Sequence, residues 1–260
     1  MKHQARKRFG QNFLQDDFII DSIIDALNPQ SHEHIVEIGP GRGALTQSLV
    51  NSGAQLDLIE LDRDLIENLN KRCQDRDNIH IHNVDVLKFD FTSLTTSPDR
   101  LRIIGNLPYN ISTPLIFHLL DTISLVHDMH FMLQKEVVQR LAAEPGNKHY
   151  GRLGIMVQYF CQVEYLLDVP PESFTPAPKV DSAVVRLTPH KEITHQANDF
   201  TIFKKLVTQA FSQRRKTLRN NLKGTLSDAE IISIDIDPSA RAEILSLQQF
   251  VELSNLLKNI

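Results

Sequence analysis

Cysteine is scarce in this chain. Cys73 and Cys161 are the only two in 260 residues, which excludes a disulfide framework and a cysteine-based zinc cluster and leaves two buried thiols in a reducing compartment as the natural reading. Long apolar runs are also lacking. No stretch is long enough to span a bilayer, and the basic start, Met1 to Arg8, does not lead into the uninterrupted apolar segment of a secretory signal. A cytoplasmic location is therefore expected. Internal repeats, low-complexity tracts and extended heptads are absent, so nothing points to self-association and a monomer is expected. The eleven histidines are scattered. His80 and His82 alternate along a strand-like segment and are read as a solvent-facing pair, so no metal and no catalytic histidine are expected.

Net charge is small and of the wrong sign for a nucleic-acid partner, at −4. Its distribution says more than its sum. Acids are missing from Met1 to Gln15, where Lys2, Arg6, Lys7 and Arg8 fall, and again from Phe200 to Ser227, which holds Lys204, Lys205, Arg214, Arg215, Lys216, Arg219 and Lys223. Apolar residues in the second stretch recur at helical spacing, and Lys216, Arg219 and Lys223 fall at i, i+3 and i+7, so three cations are expected on one helix face. Arg8, Arg215, Lys216, Arg219 and Lys223 are accordingly the candidate contacts to RNA phosphates.

What is present is a series of strand-like runs, each ending in residues with chemistry. Ile35 to Ile38 ends in Gly39-Pro40-Gly41-Arg42-Gly43-Ala44, where glycines let the backbone turn sharply and approach a ligand. Leu56 to Leu61 carries Glu60, placed to take the two hydroxyls of an adenosine ribose. Ile79 to Val84 delivers Asp85, which can accept an adenine amino group. Gly39-x-Gly41-x-x-Ala44 also satisfies a dinucleotide fingerprint. Glu37, just before the loop, suits a cationic amino acid better than a diphosphate, and acids after successive strands suit S-adenosylmethionine better than a nicotinamide cofactor.

The fourth run, Leu101 to Gly105, ends in Asn106-Leu107-Pro108-Tyr109. An exocyclic amine conjugated to a ring is a poor nucleophile and must be oriented before it attacks. The Asn106 side-chain oxygen and the Pro108 carbonyl can each accept one N–H, and Pro108 has no donor of its own. Tyr109 offers a flat face for stacking a base. Taken alone, the four residues also read as an ordinary turn. Phe174, at the head of a proline-stiffened loop, is expected to lie opposite Tyr109 and complete a sandwich that holds an extruded base; the alternative is a core residue capping the sheet.

Seven strand-like segments, near 35–38, 55–61, 79–84, 101–105, 128–133, 161–168 and 181–188, alternate with helical patterns, which predicts a doubly wound α/β sheet whose last two strands form an antiparallel edge. The chain divides near Thr188 to Asn198, and the pattern beyond is helical. The expected domains are a methyltransferase domain over 1–190 and a small all-α C-terminal domain over 198–260.

The segments Gln11-Asn12-Phe13-Leu14, Val36-Glu37-Ile38-Gly39-Pro40-Gly41, Gly105 to Pro114, Gln134-Lys135-Glu136 and Phe174 to Ser182 occur in order and closely resemble the ribosomal RNA adenine N6-dimethyltransferases. Phe211 to Leu222 is similar to the corresponding segment of the bacterial small-subunit (16S) branch. The resemblance runs from about Arg8 to the C-terminus. It implies a Rossmann-like methyltransferase sheet, S-adenosyl-L-methionine as cofactor, and dimethylation of two adjacent adenosines near the 3′ end of 16S rRNA in an immature small (30S) subunit. It also implies that Asn12 and Leu14 contact the methionine part of the cofactor, alongside the roles argued for Gly39, Glu60, Asp85 and Asn106. A 23S rRNA dimethyltransferase and an assembly factor acting without catalysis are the alternatives.

Overall fold

The computed structural model describes residues 11–74, 76–95 and 100–257, and these divide into two compact units. The first comprises 1–138 and 164–189, the second 139–163 and 190–260. The expected break near 190 falls at a unit boundary. Residues 139–163, expected in the first domain, cluster instead with the second.

The sheet strands are β2 (His34–Ile38), β3 (Gln55–Ile59), β4 (Ile79–His82), β5 (Leu101–Asn106), β6 (Val126–Gln134), β7 (Cys161–Val169) and β9 (Ser182–Pro189), all in the first unit except the first three residues of β7. Two short strands, β1 (Phe13–Leu14) and β8 (Phe174–Thr175), pair with each other. The sheet order is β4-β3-β2-β5-β6-β9-β7. The first five of these run parallel, and β9 is antiparallel to β6. The central strands are buried on both faces, as continuous apolar runs require. The chain leaves β2 for β3 on one side, and the connection from β4 returns to place β5 on the other side of β2, so a crevice opens at the carboxyl ends of β2 and β5. Gly105 closes that junction. A Cβ there would lie 2.5 Å from the Ile38 carbonyl oxygen, a separation no side chain tolerates.

The helix Asp17–Leu27 follows β1. Asp16 caps it by accepting from the Ile19 amide, and Ile19, Ile23 and Leu27 face the core. They join Leu14, Ile35, Leu49, Leu56, Leu58, Ile104, Phe174 and Val184 in one apolar cluster.

The second unit contains helices Arg152–Gln158, Phe200–Ala210, Leu218–Asn221, Asp228–Ile232 and Leu247–Asn255. Tyr159, Phe200 and Phe203 pack ring on ring, as do Phe211 and Phe250. The expected single basic helix face is not formed. The helix ends at Ala210, the chain turns through 211–217, and only Leu218–Asn221 is helical again. The Leu218 and Arg219 amides donate to the Ala240 and Pro238 carbonyls, and Asn221 Nδ2 donates to the Ala210 and Gln213 carbonyls, which holds the segment as a turn. The solvent-facing histidine pair also needs correction. His80 is exposed, but His82 Nε2 is 2.5 Å from Asp57 Oδ1, and His34 engages the other oxygen at 2.5 Å. No metal-binding cluster of His, Cys, Asp or Glu occurs among the described residues.

Candidate active site

The crevice between β2 and β5 contains a cavity of about 350 Å³. Four chain segments that end sheet strands build its floor, and the segment 11–14 forms one lip. Gly39, Gly41 and Gly43 all have positive φ, between 59° and 79°, so the turn after β2 demands the glycines that the sequence supplies. Phe13 lies against this turn, with its ring atoms 3.3 Å from where a Gly41 Cβ would stand and the Arg42 guanidinium 4.3 Å from its ring centroid. Asn12, Leu14, Gly39, Glu60, Asp85, Asn106, Pro108 and Tyr109 all line the cavity.

Glu60 is held by the backbone: Oε2 accepts from the Gly41 amide at 3.0 Å and Oε1 from the Asp62 amide at 2.8 Å. Burial raises its pKa above the ordinary value, and the two amide bonds work against that rise. Asp85 Oδ1 accepts from the Leu87 amide at 3.0 Å. Its second oxygen has no partner among the described residues.

Glu37 is buried beneath the glycine turn, 2% exposed, and accepts from Thr46 Oγ1 at 2.7 Å. Burial pushes its carboxyl up to about 7, with Thr46 opposing and the nearby Glu60 adding to the rise. Three carboxylates thus face the cavity, and Arg42 is the one cationic residue among its described lining. That balance suits a ligand with more positive than negative groups, such as an amino acid bearing a sulfonium.

At the end of β5, Asn106 Nδ2 donates to the Asn12 carbonyl at 3.0 Å, which ties the reacting corner to the lip and leaves Oδ1 as an acceptor. The Pro108 carbonyl already accepts from the Ile111 amide at 3.1 Å. The Leu107 carbonyl has no donor among the described residues and belongs to the same lining segment, so it is a candidate acceptor beside the Pro108 carbonyl, a residue the sequence reading passed over. Tyr109 OH is 2.8 Å from Ser182 Oγ.

Phe174 departs from the sandwich arrangement. It is 4% exposed, belongs to the apolar cluster, pairs in register with Leu14 and is not among the cavity lining. Of the two readings open at the sequence, the core residue is the one found. Its loop instead clasps the lip: the Gln15 amide donates to the Ser173 carbonyl, Ser173 Oγ to Asp16 and Thr175 Oγ1 to Gln15.

Of the proposed RNA contacts, Arg215, Lys216, Arg219 and Lys223 are exposed. Arg219 pairs with Asp228 at 2.7 Å, an acid just beyond the acid-free stretch. Arg8 lies outside the described residues.

A mostly parallel sheet in this order, with β9 antiparallel to β6 and a glycine turn flanked by strand-end carboxylates, defines a Rossmann-like methyltransferase domain. The chain belongs to the ribosomal RNA adenine dimethylase family, whose model matches residues 2–259. It is 56% identical over 256 residues to ribosomal RNA small subunit methyltransferase A of Pseudomonas fluorescens Pf0-1, covering 98% of this chain and 94% of that protein. The protein of the same name from Hydrogenovibrio crunogenus is 56% identical over 258 residues, with 98% and 97% covered. A crystal structure of a dimethyladenosine transferase from Plasmodium falciparum superposes with a TM-score of 0.81 at 28% identity, over 93% of this chain and 95% of that one. The 23S rRNA methyltransferase ErmE shares the fold, with a TM-score of 0.76 at 22% identity over 95% and 99%.

Proposed function

We propose that this protein is a cytoplasmic, monomeric S-adenosylmethionine-dependent methyltransferase that dimethylates N6 of two adjacent adenosines in the 3′-terminal hairpin loop of 16S rRNA. It acts within an immature small subunit and so takes part in subunit biogenesis. The observation that carries this reading is the convergence of Asn106, Pro108 and Tyr109 with Glu60 and Asp85 on one cavity at the switch point of the sheet.

Glu60, pre-oriented by two backbone amides, receives the ribose hydroxyls, and Asp85 accepts the adenine amino group through its remaining oxygen. Asn12, Leu14 and Gly39 hold the methionine end, where Glu37 offsets positive charge. The bound cofactor supplies an electrophilic methyl group on a sulfonium. Asn106 Oδ1 and the carbonyl of Pro108 or Leu107 accept the two N–H groups of the target amine and turn its nitrogen toward that methyl, while the Tyr109 ring supports the base. Placement and exclusion of water supply most of the rate. No strong base is needed, because methylation acidifies the N–H that remains. Arg215, Lys216 and Lys223 draw in the phosphate backbone.

The test is incubation with S-adenosylmethionine and small subunits lacking adenine dimethylation, beside large subunits and duplex DNA, followed by nucleoside mass spectrometry. N6,N6-dimethyladenosine from the small subunit alone is expected. Product from 23S rRNA or DNA overturns the substrate, and no product despite bound cofactor overturns the activity.

A further inference from the structure

With Phe174 buried in the core, the cavity has two aromatic lining residues among the described residues, Phe13 and Tyr109. Phe13 is already covered by the glycine turn and by Arg42. Tyr109 is therefore the platform left for a base, and its orientation has to come from something other than a second ring.

That something is at hand. Tyr109 OH lies 2.8 Å from Ser182 Oγ, and Ser182 is fully buried at the first position of β9, opposite Gln134 of β6. Neither hydroxyl has a second partner among the described residues. A buried O–H without an acceptor is costly, whereas half-buried Tyr109 can satisfy its own proton elsewhere. The favoured direction is thus Ser182 donating and Tyr109 accepting. The loop that delivers Ser182 is anchored at both ends, by Ser173 to Asp16 and by the Asp181 carbonyl to the Lys135 amide.

We propose that Ser182 is a positioning residue that fixes the Tyr109 ring through this bond, so that a single aromatic face presents the target adenine at a defined angle. The inference rests on the reading of Tyr109 as the base platform. It makes the 173–182 loop a two-ended brace, holding the cofactor lip at one end and the base platform at the other.

The test is a double-mutant cycle on small subunits lacking dimethylation, with Ser182→Ala, Tyr109→Phe and their combination, plus Ser182→Thr. Each single hydroxyl deletion is expected to lower kcat by about five- to tenfold, the worth of one buried hydrogen bond. KM for the subunit and cofactor affinity should stay within about twofold, the combination should be no slower than either single variant, and Ser182→Thr should recover most of kcat. A Ser182→Ala enzyme with wild-type kcat, or multiplicative losses in the combination, overturns the inference. Wild-type protein that methylates nothing overturns the proposed function instead, so the two failures are distinct. Tyr109→Phe keeps the ring and leaves the buried serine in place, which keeps the test readable if Ser182→Ala does not fold.

Discussion

Replacing Glu37 by Gln should change how stability depends on pH, in a direction the structure dictates. Glu37 is buried and its carboxyl sits at about 7 rather than the ordinary 4.5. The folded state therefore holds a proton on Glu37 that the unfolded state has already lost between those two values. Stability contributed by this site is greatest below pH 4.5 and falls as pH rises toward about 7. At about 1.4 kcal/mol per tenfold change in proton affinity, the ionised carboxylate costs roughly 3 kcal/mol above pH 7. Gln keeps the acceptor for Thr46 Oγ1 and carries no charge. Urea denaturation of both proteins without cofactor, at pH 5 and pH 8, isolates the term, because every other titrating group is shared. The variant's advantage should grow by about 2–3 kcal/mol from pH 5 to pH 8. An advantage that is the same at both values would mean that Glu37 titrates normally. The sign reverses with a cationic ligand bound: Glu37→Gln should weaken S-adenosylmethionine binding at pH 8, read by calorimetry.

Gly105→Ala should destabilise the protein by about 2–3 kcal/mol in urea, since the new Cβ meets a backbone carbonyl that cannot yield; an unchanged midpoint would contradict the close approach of β2 and β5. Glu60→Ala should weaken cofactor binding by at least about tenfold in calorimetry. Asn106→Ala should abolish turnover while leaving that affinity nearly intact. Replacing Arg215, Lys216 and Lys223 together by Ala should reduce the log–log salt slope of subunit binding by about 2–3, and an unchanged slope would leave them as solvated surface.

Seven sheet strands were legible in advance, most plainly where an apolar run is closed by glycine, as at Gly39 and Gly105, or by proline, as at Pro189. The cofactor side of the cavity was legible for the same reason: strand ends in a parallel sheet converge, so Gly39, Glu60, Asp85 and Asn106 had to meet. The rest depends on pairings with no local signal. Strands β1 and β8 are two residues each, shorter than any periodicity can reveal. Burial of Phe174 follows from that pairing. The helical spacing of Lys216, Arg219 and Lys223 misled because amides in the segment bond to a distant stretch rather than to their own turn. Ser182 carried no mark beyond its place in a motif, since one serine among many does not announce a partner 73 residues away.

The clasp of the lip has a bearing on how the protein is made. Gln15 bonds to Thr175 across a sequence separation of 160 residues. Synthesis runs from the amino terminus, so the lip emerges first and waits for a partner that follows nearly two-thirds of a chain later. Until then the donor cavity is open on one side. A growing chain therefore acquires its full hold on the methyl donor only after strands β2 to β5, whose ends line the cavity, have all emerged.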